Sequence, residues 1–251
     1  MVETRKEPEK DNPADASRRS FLKVMMALGV GAVTIAVARG AIQNLIPQSV
    51  GTSSFPTLTL VNATTGAPIK TNDLTVNNPA AVIFDYPLQN EPNFLLRLGD
   101  SSGNDVAISP YNVQIPATGG TFKSPGGVGP YKSVVSSSAV CQHLGCTPPS
   151  IHFYKPGTTI PNHPGHSGSA NTGFINCNCH GSTYDPYKGF SVVTGPTKSP
   201  LPSVILAWDS SSDTYAVNSM VGPTIYGHSD DLSGGNPLSS SSQADVTTIS
   251  D

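Results

Sequence analysis

All four cysteines of this 251-residue chain lie in two short boxes. The first is Cys141-Gln142-His143-Leu144-Gly145-Cys146. The second is Cys177-Asn178-Cys179-His180-Gly181-Ser182-Thr183-Tyr184, and an insert, residues 147–176, separates them. Three chemistries use these residue types. Two disulfides suit an exported protein. A zinc ion takes thiolates and imidazoles. A [2Fe–2S] cluster can take two thiolates on one iron and two imidazoles on the other. A disulfide framework has no need of a histidine in each box. Zinc ligands usually come in pairs spaced two to four apart, which Cys177-Asn178-Cys179-His180 does not follow.

The patterns C-x-H-x-G-C and C-x-C-H-G-S-x-Y resemble the boxes of high-potential Rieske iron–sulfur proteins almost letter for letter. The resemblance continues at Gly195-Pro196-Thr197-Lys198-Ser199-Pro200-Leu201-Pro202. This segment is similar to the family's proline-rich third loop, with Thr197 and Lys198 where Ala-Pro is common. The likeness covers residues 132–206. It implies one [2Fe–2S] cluster, with Cys141 and Cys177 on the inner iron and His143 and His180 on the outer one. It implies a disulfide between Cys146 and Cys179 that clamps the two cluster loops. Gly145 and Gly181 would let the backbone turn tightly beside the cluster and donate N–H to its sulfurs.

Ser182 and Tyr184, taken alone, read as ordinary strand and loop polarity. In the respiratory members of the family, hydroxyls at these places hydrogen-bond a bridging sulfide and a ligand sulfur. Such bonds favour the reduced state, so the resemblance implies a high-potential centre. His152, His163 and His166 fall in the insert. His163-Pro164-Gly165-His166 has a spacing that tempts a metal reading, but no carboxylate or cysteine stands near it in sequence, and solvated loop histidines are expected. There is no 2-His-1-carboxylate set for mononuclear iron, which argues against an oxygenase. His228 is expected in a terminal loop and Trp208 in the core.

These loops need a scaffold and a place in the cell. Ser17-Arg18-Arg19-Ser20-Phe21-Leu22-Lys23 precedes an apolar run from Val24 to Ala38, the pattern of a twin-arginine export signal. That route carries folded proteins, which suits a prosthetic group. The run Val24 to Ala38 spans only about 22 Å as helix, short of a ~30 Å hydrocarbon core. Apolar residues resume from Gly40 to Ile46, so a helix from Val24 to Ile46 would cross, with Lys23 and Arg39 reaching for head groups. Ala36-Val37-Ala38 also has the small-x-small form of a cleavage site. The expectation is a retained anchor: a cytoplasmic tail over 1–20, a membrane helix over 21–46 and a flexible tether over 47–56.

Beyond the tether, short apolar or alternating runs recur between turn clusters, as in an all-β domain. Expected strands are Thr57–Val61, Ala80–Tyr86, Asn93–Leu98, Lys132–Ser136, Ile151–Tyr154, Phe190–Thr194, Ser203–Trp208 and Thr214–Val217. Asp209 to Asp213 reads as a hairpin turn. The organisation expected is a Rieske domain over 57–228, of antiparallel sheets with an inserted cluster-binding subdomain at about 136–200, then a disordered Ser-rich tail over 229–251. Asn62-Ala63-Thr64 is a glycosylation sequon, a triplet frequent by chance.

Composition narrows the partners. The chain has 24 Gly and 23 Pro, too many for a helical bundle, and its net charge of −3 gives no reason to expect nucleic acid. Charged residues make up 12%, against roughly 25% in typical soluble domains. The first 40 residues hold seven of the 14 Lys/Arg and five of the 17 Asp/Glu, so the remainder is poorer still. A charge-poor surface suits an acidic exterior, where carboxylates protonate, somewhat better than a compact β domain under little selection for charge. Together with the resemblance, these features imply a plasma-membrane protein with its Rieske domain on the external face. It would take electrons from quinol for a respiratory complex. Its partners would be cytochrome b-type and terminal oxidase subunits, with membrane lipid around the anchor. The alternatives are the Rieske subunit of an arsenite oxidase and an exported zinc-stapled binding module. Zinc is colourless and the cluster is not.

Overall fold

The computed structural model describes residues 54–159, 172–227, 236, 238 and 244–249. The expected anchor helix, the cytoplasmic tail, His163, His166 and His228 lie outside the described residues. Among the described residues there are fourteen strands and two 3-10 turns, Thr71–Asp73 and Pro186–Lys188. No helix there is long and apolar enough to cross a membrane.

In chain order the strands are β1 Ser54–Thr59, β2 Val61–Asn62, β3 Ala81–Asp85, β4 Pro92–Arg97, β5 Tyr111–Ile115, β6 Gly120–Ser124 and β7 Val134–Ser138. They continue with β8 Ile151–Tyr154, β9 Phe174–Cys177, β10 Thr183–Asp185, β11 Ser191–Thr194, β12 Ser203–Asp209, β13 Thr214–Val221 and β14 Asp245–Ile249. Eight of them form one sheet in the order β1-β13-β12-β7-β4-β3-β14-β2. Four more form a second sheet, β11-β10-β9-β8, and β5 pairs with β6 as a separate hairpin. All pairings are antiparallel except β14 with β2.

Sequence dictates how the layers stack. Strand β4 is buried at four successive positions, Asn93 to Leu96, rather than alternating. A strand covered on both faces reads this way. Leu95 joins one apolar cluster with Leu58, Tyr86, Tyr215 and Val217. Phe94 and Leu96 join another with Ile151, Phe153, Ile175, Tyr184 and Phe190. The second cluster therefore seats the four-stranded sheet against one face of the large one. Both sides of that contact are aromatic and β-branched, and each fully buried side chain contributes about 1.5–3 kcal/mol.

Three expectations change. Residues 54–56, read as the end of the tether, already belong to β1, where Ser54 pairs with Ser219. The region 229–251, read as a disordered tail, contains β14, whose Thr248 pairs with Val82. Leu238 in the same region is buried, and its N–H donates to the Pro87 carbonyl at 3.0 Å. Serine-rich flanks hid the β-branched run Val246-Thr247-Thr248-Ile249, which fits a pleated sheet. His152 lies on β8, inside the strand expected over Ile151–Tyr154, its ring 4.0 Å from that of Tyr154. Trp208 is only partly buried. It packs against the first cluster and donates its indole N–H to Asp213 at 2.8 Å, which closes the β12–β13 hairpin.

Candidate metal centre

Each cysteine box starts where a strand runs out. Strand β7 leads through Ala139 and Val140 into Cys141, and β9 ends on Cys177. The two loops then repeat one hydrogen-bond pattern. Gly145 N–H donates to the Cys141 carbonyl at 2.9 Å, and Gly181 N–H to the Cys177 carbonyl at 2.8 Å. Cys141 N–H donates to the Cys146 carbonyl at 2.9 Å, and Cys177 N–H to the Ser182 carbonyl at 2.8 Å. Both glycines take positive φ, 78° and 80°, which a side chain rarely adopts. The tight turns expected of Gly145 and Gly181 are therefore present, and each sets its cysteine at the base of a loop.

A disulfide joins Cys146 to Cys179 and so ties the first loop to the second. Cys141 and Cys177 are free thiols, 2% and 1% exposed. They lie within hydrogen-bonding reach of each other. The contact from Cys177 draws the Cys141 thiol down to about 5, and the same contact pushes Cys177 up. The two sulfurs thus share one buried pocket, in which ionising the first makes ionising the second harder. His143 is half-buried and His180 exposed, with ring centroids 4.9 Å apart and planes at 82°. The donor set therefore grades from buried sulfur to exposed imidazole.

The sulfurs of Cys146, Cys177 and Cys179 also cluster within 4.8 Å. Two of those three are consumed by the disulfide and have no thiolate to offer, so that trio is not a ligand set.

Two polar atoms test whether this site fits a cluster. His143 Nδ1 is buried without a protein partner. Ser182 Oγ is buried too; it approaches the Cys141 thiol but makes no well-formed hydrogen bond. Buried polar groups left unpaired cost free energy. A bound metal centre with acceptor sulfurs would satisfy an imidazole nitrogen and a hydroxyl at once. The donor set, two thiols and two imidazoles, is the one a Rieske cluster takes.

Tyr184, on β10, is fully buried. Its hydroxyl lies 3.4 Å from Cys141 Sγ and accepts from Gln142 N–H at 3.0 Å. Burial, then the charge at Cys141, pushes the phenol above its ordinary range and keeps its proton in place. The third loop lies alongside. Gly195 sits against the second box, Pro196 is exposed, and Thr197 is buried. Ala117 N–H, in the turn between β5 and β6, donates to the Lys198 carbonyl at 2.8 Å and pins this loop from outside.

One contact escaped sequence reasoning. With the Gln142 amide oriented by its hydrogen-bond network, it donates to the Thr224 carbonyl at 3.1 Å and accepts from Tyr226 N–H at 3.3 Å. The Tyr226 ring closes over Gly145, where a Cβ would lie 3.0 Å from it. The segment after β13 thus straps the first loop. No local motif announces a contact between residues this far apart in sequence.

Residues 127–205 match the family model described as the Rieske [2Fe-2S] domain. The chain therefore carries a Rieske [2Fe–2S] electron-transfer domain, and the cofactor it implies is one [2Fe–2S] cluster. Among solved structures the chain is similar to the soluble domain of the Rieske protein II (soxF) from Sulfolobus acidocaldarius. The identity is 25%, the match covers 78% of this chain and 96% of that one, and the TM-score is 0.45.

Proposed function

We propose that this protein is a membrane-anchored Rieske electron carrier that oxidises quinol and passes electrons to a cytochrome or copper centre. Cys141, Cys177, His143 and His180 hold the cluster, and the disulfide between Cys146 and Cys179 locks the two loops around it. The cluster, when bound, supplies reversible one-electron chemistry. The observation that carries the reading is the gradient of exposure, from thiols 2% and 1% exposed to an exposed His180. A donor can reach only the imidazole end.

The remaining work belongs to the chain's own residues. His143 buries Nδ1, so Nε2 is the atom left on that ring to meet a substrate. An exposed imidazole N–H at His180 hydrogen-bonds a quinol oxygen and takes part in moving its proton. Leu144, 54% exposed beside His143, adds an apolar contact for a hydrophobic donor. Tyr184 and Ser182 hold hydroxyls at the sulfur end and favour the reduced form. The N-terminal segment places the domain on the external face of the plasma membrane, where cytochrome b-type and terminal oxidase subunits complete the quinol site.

The test is rapid mixing of the oxidised full-length protein, extracted from membranes, with a short-chain quinol under visible absorbance. Bleaching at the rate of a bimolecular encounter is expected, slowed when His180 is replaced. A cluster that dithionite bleaches and quinol does not would end the quinol assignment. Recovery of the protein in the alkaline-washed soluble fraction would end the anchor.

A further inference from the structure

Both chain neighbours of the buried Cys177 are asparagines, and their side chains are tied to one another. Asn176 Nδ2 donates to Asn178 Oδ1 at 2.8 Å, bridging the residue between them. Asn176 Oδ1 accepts from the Thr183 hydroxyl at 2.8 Å, across the β9–β10 ladder. The Tyr154 hydroxyl, from β8, donates to the same Asn178 oxygen at 3.0 Å. Asn178 N–H donates to the Ser150 carbonyl at 2.7 Å. Side chain and main chain of Asn178 are therefore both held by the opening arm of the insert, residues 147–154. Asn176 and Thr183 are fully buried and Tyr154 nearly so. Cutting the bracket would leave buried donors unpaired, which holds it closed.

The bracket ends one residue before Cys179 and two before His180. Cys179 is tied to the first loop by the disulfide. The second loop is thus gripped at consecutive residues from two directions, from β8 at Asn178 and from Cys146 at Cys179. His180 lies just past both grips and is exposed. Its ring direction is set by the backbone that carries it rather than by packing around it. Groups behind a ligand orient it, and a loosely supported ligand samples a spread of angles.

We propose that Tyr154 and Asn178 are positioning residues for the metal centre: the opening arm of the insert, through the Tyr154–Asn178 hydrogen bond, fixes the direction of the His180 imidazole. The inference rests on the chain's holding a Rieske cluster through His180 and not on the identity of the electron donor.

The test is the reduced-state EPR spectrum of the loaded full chain, on a double-mutant cycle. A centre whose ligand angles are spread gives broadened features. A loss of stability alone leaves the spectrum of each surviving cluster unchanged. Tyr154→Phe removes one hydroxyl, and Asn178→Ala removes the oxygen that accepts it. Both should load iron and broaden the features, Asn178→Ala more. In the Asn178→Ala background, Tyr154→Phe should broaden them no further, because its acceptor is gone. Asn178→Asp keeps an oxygen for both donors and should return the wild-type widths. Asp105→Asn, which breaks an ion pair outside the cysteine boxes, should leave the widths unchanged. Wild-type widths in Tyr154→Phe and Asn178→Ala, additive broadening in the double variant, or equal broadening in Asp105→Asn overturns the proposal. Failure of both single variants to load iron would assign the bracket to loop support and also overturn it. Absence of the signal from the wild type would remove the metal centre and the proposal with it, and iron analysis of the wild type separates that outcome from the others.

Discussion

The Tyr184 hydroxyl and the Cys141 sulfur, on different strands and loops, lie 3.4 Å apart in a fully buried contact. A hydrogen bond to a ligand sulfur withdraws electron density, and it gains strength when the cluster is reduced. Tyr184→Phe and Ser182→Ala should each keep the cluster and lower its midpoint. A bond worth roughly 1–3 kcal/mol more to the reduced form corresponds to about 40–130 mV for one electron. Equal potentials in wild type and both variants would show that neither hydroxyl acts on the sulfurs.

Replacing Cys141, Cys177, His143 or His180 by alanine should abolish cluster binding. Iron analysis should fall from about two irons per chain to none, with loss of the reduced-state EPR signal. Full iron content in any of the four variants removes that residue from the ligand set. Stoichiometric zinc in the native protein would overturn the site as a whole.

The disulfide spans 33 residues. Closing a loop of that length restricts the unfolded chain by about 3–4 kcal/mol in the chain-entropy account. Cys146→Ser should lower the denaturant midpoint accordingly. It should also release the cluster, followed by its visible absorbance, at a temperature where far-ultraviolet signals still report the sheets. Both thiols found free in the native protein would refute the pairing.

Two aspartates should respond to pH in opposite senses. Arg97 grips Asp105 through two bonds of 2.8 and 2.7 Å and holds its carboxyl below the ordinary range. The stability this contributes is present above the unfolded value, near 3.9, and fades as pH falls through the lower folded value. Asp105→Asn should cost about 2–3 kcal/mol at pH 7, a cost that shrinks in strong acid. Asp185 is buried, and burial raises its carboxyl. Its contribution is present in acid and lost as pH rises through the folded value. Asp185→Asn keeps an acceptor for Tyr187 N–H, now at 2.9 Å. It should therefore stabilise the protein at pH 7 and leave it unchanged below pH 3. Urea titrations at both pH values measure the two; parallel curves for Asp185→Asn and wild type would refute the burial argument.

The chemistry was more legible than the scaffold. Ligand boxes depend on residue identity at fixed spacing, and Cys146 with Cys179 pair as the resemblance implies. Strand β8 has the expected bounds, because Ile151 to Tyr154 is a short apolar run with clean ends. Strands β9 and β10, which carry the second box, were missed. They are only four and three residues long, too short for periodicity to register. The β5–β6 hairpin does alternate, burying Val113 and Ile115 against Phe122, but its exposed Asn112, Gln114 and Lys123 read as loop. Arg97 with Asp105, and Gln142 with Thr224 and Tyr226, are tertiary meetings that no local pattern encodes.

Strand β14 has a consequence for the order of assembly. It lies inside the large sheet, between β3 and β2, and Thr248 must find Val82 across most of the chain. Synthesis at about 5–20 residues per second separates the appearance of these strands by many seconds. During that interval β3 and β2 present bare edges, each a template for a wrong partner. Contacts of such long range also place the sheet among slow folders, in the millisecond-to-second class. Anything that must act on the finished fold, cluster insertion or an export machine that accepts only folded cargo, has to wait for β14. A chain cut short of Asp245 would reach that checkpoint with the gap still open.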